Sequence, residues 1–313
     1  MLESRHLGLV MPDELDDIKE QLCEIADRLE KTIDMEVLLD IAAEAEEIGG
    51  CGNADRDEHQ TINIGCIKNE FTQNVKTDCE TQYQTTKIVN IKQMQIKNED
   101  DAVNIAVAMD EAFCFYYEDN LRLLEKYGAK LQYFSPLDDT ELPDNCDALL
   151  IGGGYPELYA KELSENISMR DSIKTAFKNG LPTVAECGGF MYLHETLTDK
   201  DGKNFPMVGV IPAECQYTGK LVRFGYVEVQ LPQGLTEKGT AERPEPEKIK
   251  AHEFHYFDST ANGEDCIATK PVTGRSWKCI HASDDHFWGF PHLYYPSDPK
   301  FVKWFLERTE KHI

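Results

Sequence analysis

Long apolar runs are missing from this chain. No stretch approaches the ~20 residues a membrane-spanning helix needs, and the N-terminus has no basic-then-apolar secretory pattern, so the expected location is cytoplasmic. Positive charge is scarce: 32 Lys and Arg stand against 57 Asp and Glu, a net charge of −25. Neutralising phosphates takes clustered Lys and Arg, so nucleic acid and anionic membrane surfaces are excluded as partners. None of the ten cysteines forms a C-x-x-C pair, which removes zinc ribbons and thioredoxin-like redox motifs, and no metal site is expected. No Walker A motif occurs, and "GGGYPE" lacks the G-x-G-x-x-G spacing of dinucleotide folds, so this chain is expected to bind no cofactor itself. What remains is ordinary for a globular protein: 41% hydrophobic and 28% charged residues over 313, enough for one large domain or two moderate ones.

The patterning divides the chain into three parts. Residues 12–48 predict two helices, the first from Ile18, Leu22, Ile25 and Leu29 at helical spacing, the second with Asp34 as N-cap. From 49 to 101 periodicity is lost among Asn, Gln, Thr, Lys and Asp; burial there cannot offset ordering entropy, so a flexible polar linker is expected. From 102 to 313 a domain is expected. "VNIAVAMD" (103–110), "AKLQYFSPL" (129–137), "DALLIGGG" (147–154) and "LPTVAE" (181–186) read as strands, alternating with helices over 116–128, 157–165 and 168–179. A further helix is expected over "GGFMYLHETL", which puts His194 on it. Such alternation implies an open, mostly parallel sheet covered on both faces, with ligands beyond the carboxyl ends of its strands. After Pro206 the pattern changes. "LVRFGYVEVQL" (221–231) alternates with period two, "KIKAHEFHYF" (248–257) and "HFWGFPHLYY" (286–295) read as further strands, and a helix over 298–312 closes the chain. The fold class is therefore α/β with an added antiparallel part.

Two glycine clusters, "GGG" and "ECGG", fall at expected strand ends. In the second, Cys187 follows a strand and precedes two glycines and a helix, the layout of a nucleophile elbow. Glycines relieve crowding in such a turn, and a helix N-terminus beneath the sulfur favours thiolate over thiol. The amide of Gly188 would face an oxyanion, completed by amides of the Gly152–Gly154 cluster. The competing reading is a small buried filler, the usual fate of a free cysteine. The Glu–Cys–Gly–Gly setting at a strand end tips the balance to a nucleophile. Its base must be a histidine, and His252, His255 and His292 remain open on spacing alone. His252 and His255, three apart on a strand, fall on opposite faces, against a shared metal.

The segments "AFCFYYEDNLRLLEKYGAKLQYFSPLDD", "GGGYPELYAKELSENISM", "AECGGFMYL", "PMVGVIP" and "HEFHYF" resemble the cobyrinate a,c-diamide synthase family, class I glutamine amidotransferases of the cobyric-acid-synthase type. The likeness runs from about Val103 to the C-terminus, and "RHLGLVMP" with the helices after it looks like the tail of the family's preceding synthetase domain. The resemblance implies a class I amidotransferase, flavodoxin-like fold, and Cys187 as the glutaminase nucleophile. "GFPHLYYPSDP" matches the family's C-terminal histidine segment, which gives His292 the role of base. Tyr294 stands where the wider class places a carboxylate two residues past the base, so no group is expected to orient His292. Gly153, Gly154 and Gly188 are implied for the oxyanion and glutamine, and Glu186, His252 and His255 for substrate or domain interface. ATP and Mg2+ are implied for the full reaction, on a P-loop synthetase domain or subunit that this chain is expected to lack. Implied partners are glutamine, a tetrapyrrole (cobyrinic acid) and that synthetase part, with a homodimer as a further assembly. Nickel-sirohydrochlorin or hydrogenobyrinate as acceptor, and a non-catalytic partner subunit, are the competing readings.

Overall fold

The computed structural model describes residues 18–34, 37–38, 102–232 and 247–309. The chain divides into two units, Met1–Asn90 and Ile91–Ile313. In the first, a helix spans Ile18–Thr32, and its apolar stripe (Leu22, Ile25, Leu29) is exposed. The Asp34 carboxylate accepts from the Val37 amide at 3.2 Å, the bond expected of an N-cap. The rest of the second expected helix and the linker 49–101 lie outside the described residues.

In the second unit, short β-branched and aliphatic runs bury both faces, as a parallel sheet requires. The strands are β1 (Val103–Ala108), β2 (Ala129–Phe134), β3 (Ala148–Ile151) and β4 (Thr183–Glu186). Two more come from the far end of the chain, β13 (His281–Ala282) and β14 (His286–Gly289). The order is β13-β14-β4-β3-β1-β2, every pair parallel except the edge hairpin β13–β14. Period-two alternation sorts side chains onto two cores. Ala106, Leu149, Ile151, Ala185 and Cys187 join one, packed by Met169, Ile173 and Phe190; Ile105, Leu150 and Val184 join the other, packed by Leu121, Leu124, Phe301 and Phe305. Glu186 and Cys187 thus leave β4 on opposite faces.

Two antiparallel or mixed sheets are added. One orders β10 (Phe257–Ser259), β7 (Ile211–Tyr217), β5 (His194–Thr198) and β6 (Asn204–Pro206). The other orders β12 (Ser276–Cys279), β11 (Cys266–Thr269), β8 (Arg223–Gln230), β9 (Lys248–His255) and β15 (His292–Leu293).

Two expectations are corrected here. The helix after Cys187 covers only Gly188–Tyr192, because "HETLT" alternates and is drawn into β5; His194 opens that strand, fully buried, with its ring nitrogens on Phe190 O and Ser259 Oγ. The run 286–295 is not one strand. It breaks at Phe290–Pro291, where proline cannot donate to a ladder, and its halves enter different sheets. That break carries His292 away from the central sheet and back over its carboxyl edge.

Candidate active site

Cys187 holds the backbone of a sharp elbow, φ 46° and ψ −100°, one of three described non-glycine residues with positive φ. Such strain persists only where neighbours fix it. The Cys187 amide donates to Gly289 O at 2.8 Å, Met191 N donates to Cys187 O at 2.9 Å, and Gly189 N donates to Gly152 O at 2.8 Å. The backbone of the elbow is therefore tied to both neighbouring strands of β4.

The Gly152–Gly154 loop beyond β3 is the shelf on which the site is assembled. A β-carbon on Gly188 would lie 2.9 Å from Pro156 Cδ and 3.0 Å from Gly154 N, so the two loops touch only because residue 188 is glycine. On the same shelf, a β-carbon on Gly153 would lie 2.3 Å from His292 Cε1. The imidazole of His292 lies directly over Gly153, next to the loop that meets the Cys187 turn. Phe115 closes its side, ring edge to ring face, with centroids 4.8 Å apart.

Burial decides the protonation states. His292 is 6% exposed, and desolvation, with the nearby His252 and His255, lowers its pKa to about 3, so its ring is neutral. Its Nδ1 has no hydrogen-bond partner among the described residues. Tyr294, two residues on, turns away and donates to Asp119 Oδ2 at 2.9 Å, so the carboxylate absent from the sequence is not replaced at the ring. The Cys187 thiol is pushed up, first by burial, then by the charge of Glu157. This corrects the expected thiolate: a five-residue helix offers little dipole, and 7% exposure offers little water.

The oxyanion assignment also changes in part. The Gly153 amide donates to Phe115 O at 3.2 Å and is occupied. The amides of Gly154 and Gly188 bond no backbone carbonyl among the described residues, and the Gly188 amide approaches the Cys187 sulfur. Among the described residues, Gly154 and Gly188 are thus the amides of the two turns that no carbonyl occupies.

Glu186 and His255 are not at an open surface, as an interface role would need. Glu186 is buried and accepts from Tyr295 Oη at 3.1 Å. His255 is buried, stacked on Phe290 at 3.9 Å, with Nδ1 donating to Phe257 O at 2.7 Å. His252 pairs with His292 across β9–β15, on the same face of that sheet and opposite to His255, and lies half-buried among Phe224, Tyr226 and Phe254. The sequence reading missed a small cavity behind Phe290, lined by Arg223, Glu253, His255, Asp258, Asn262 and Trp277. Arg223 lies 4.8 Å over the Trp277 ring, and Glu253 is raised to about 7 by burial, Arg223 opposing. Only the mixed-sign spacing of Arg223 and "HEFH" hinted at it. Among the described residues no group of three His, Cys, Asp or Glu could hold a metal, and no helix is long and apolar enough to cross a membrane.

A cysteine on a strand-to-helix elbow and a neutral imidazole thus meet the same glycine loop, the Cys187 turn at Gly154 and the His292 ring at Gly153. Residues 104–284 match the CobB/CobQ-like glutamine amidotransferase domain, and the chain belongs to that family. It is 43% identical over 210 residues to a cobyrinate a,c-diamide synthase of Caldanaerobacter subterraneus subsp. tengcongensis, covering 66% of this chain and 45% of that protein. To the enzyme of the same name from Fusobacterium nucleatum it is 33% identical over 306 residues, 96% of this chain and 59% of the other. The family resemblance read from the sequence is borne out, and the chain spans about half the length of these relatives. A crystal structure of a glutamine amidotransferase superposes on 66% of this chain and 98% of its own, with TM-score 0.44 and 16% identity.

Proposed function

We propose that this chain is the glutamine-hydrolysing part of a cobyrinate a,c-diamide synthase. His292 takes the thiol proton as the Cys187 sulfur attacks the side-chain amide carbon of glutamine, so the charge appears only in the transition state. That order suits a raised thiol beside an unprotonated imidazole. The amides of Gly154 and Gly188 receive the oxyanion. The C–N bond breaks with the imidazolium proton passing to the departing nitrogen, leaving ammonia and a glutamyl thioester. Water then cleaves the thioester, releasing glutamate and restoring the thiol. The cavity behind Phe290, with Arg223 beside Glu253 and Asp258, offers both signs of charge that an α-amino acid head group needs.

ATP and magnesium are implied by the family for the full reaction. The sequence has no P-loop, and the described residues contain no metal-holding cluster. We assign ATP-dependent amidation of the a and c carboxylates of cobyrinic acid to the synthetase part of the relatives, and derive no step of it here. The names of the relatives support that acceptor.

The observation that carries the reading is the Gly152–Gly154 shelf, which meets the Cys187 turn at Gly154 and the ring of His292 at Gly153. A diazoketone analogue of glutamine tests it: one equivalent should attach to Cys187, found by peptide mass mapping, with glutamine protecting. Labelling spread over Cys114, Cys146 and Cys23, with no protection, would refute it.

A further inference from the structure

Resting on the glutaminase reading, we propose that Glu186 is a positioning residue: its side chain locks the strand that carries His292 to the turn that carries Cys187. His292 lies between two anchors. At Gly289, the carbonyl accepts from the Cys187 amide at 2.8 Å. At Tyr295, the phenol donates to Glu186 Oε1 at 3.1 Å. The consecutive residues 186 and 187 therefore hold both ends of the segment 289–295, one through a side chain and the other through its backbone amide. Within that segment the ring of His292 has no bond at Nδ1. Its direction is set by the backbone and by packing, where related chemistry would use a carboxylate on the ring.

Asn120 completes the clamp from the helix Glu118–Lys126. Its Nδ2 donates to Leu293 O at 2.7 Å, and its Oδ1 accepts from Tyr295 N at 2.9 Å. Asn120 is 5% exposed and Glu186 8% exposed, so neither is a solvated surface group.

Among the described residues, Tyr295, Tyr116, Tyr117 and Cys187 are the titratable groups around Glu186; all are weak acids, and no cation there opposes it. Tyr116 accepts from Gly152 N at 2.8 Å, which ties the same cluster to the glycine shelf. Burial raises Glu186 to about 8, so below that pH the carboxyl holds its proton and still accepts from Tyr295. Above it, an anion appears one residue from the sulfur and opposes thiolate formation.

Steady-state glutamate release from pH 6 to pH 10 tests this with wild type, Glu186→Leu, Glu186→Gln and Cys187→Ala. Glu186→Leu removes the anchor, and kcat should fall at least ~10-fold with KM within about 2-fold, since misplacement of the base is felt in the transition state. Glu186→Gln keeps an acceptor oxygen but cannot ionise; it should restore most of that loss at pH 7 and abolish the decline of kcat above about pH 8 expected of wild type. If Glu186→Leu fails to fold, the alkaline limb of Glu186→Gln decides alone. An unchanged limb in Glu186→Gln, or wild-type kcat in a folded Glu186→Leu, overturns the inference and leaves the glutaminase intact. Turnover surviving in Cys187→Ala overturns the glutaminase reading itself.

Discussion

Replacing Gly153 by alanine adds one carbon at the point where the two halves of the site meet. Its backbone is not in the positive-φ region, so alanine fits the chain conformation and the effect falls on its neighbour. The new carbon would sit 2.3 Å from His292 Cε1, 3.0 Å from Nδ1 and 3.4 Å from Nε2. Carbon atoms in contact keep about 3.5–4.0 Å, so the ring must retreat by roughly 1 Å or more. It has little room: Phe115 lies against it at 4.8 Å, and β15 is hydrogen-bonded to β9. A shift of about 1 Å in a catalytic group costs on the order of 10²-fold in rate, about 2.7 kcal/mol of activation free energy. The assay is kcat/KM for glutamate release, with circular dichroism and Tm to confirm folding. Gly202→Ala is the control. Gly202 has φ 77° and nothing within 4 Å, so alanine there should cost about 1 kcal/mol of stability and leave kcat/KM alone. A folded Gly153→Ala with wild-type kcat/KM would refute the placement of His292 on the shelf.

Three further outcomes follow from burial. The imidazoles of His194, His255 and His292, held neutral with pKa values of about 4, about 4 and about 3, lie below the ordinary value of 6.5, so the unfolded chain binds more protons in acid. Stability from these groups is complete above pH 6.5 and should fall by up to about 3 kcal/mol per imidazole by pH 4; a urea midpoint that is flat from pH 7 to pH 4 would contradict this. Because burial holds the Cys187 proton on, alkylation by iodoacetamide in the absence of glutamine should be slow at pH 7 and still climbing at pH 9, whereas a plateau below pH 7 would mean a preformed thiolate. Asn120→Leu strands Leu293 O and Tyr295 N in the interior, and should destabilise the domain by on the order of 2–6 kcal/mol in chemical denaturation; a loss below 1 kcal/mol would show that the clamp is not formed.

What was legible in the sequence had a local cause. The strands β1, β3 and β4 announce themselves as aliphatic runs because both faces are buried, and the glycines beside Cys187 mark a turn that few other residues allow. The helix after the elbow was overextended because apolar residues of "GGFMYLHETL" satisfy a helical period as well as a strand one; pairing with β7 decided for the strand. Choosing His292 over His252 and His255 needed the family resemblance, since its place depends on a chain break at Pro291 and on pairing with β9. The Glu186 and Asn120 clamp joins residues 109, 173 and 175 positions apart, contacts that no local periodicity encodes. The raised thiol was misjudged for a similar reason: burial of Cys187 is a property of the packed domain and outweighs a short helix.

Glutamate release from glutamine by the wild-type chain, Cys187→Ala and His292→Ala, measured together at pH 7.5, tests the account at its root. Turnover should disappear in Cys187→Ala and drop by roughly 10²-fold or more in His292→Ala. Equal rates in all three proteins would show that neither side chain touches the amide.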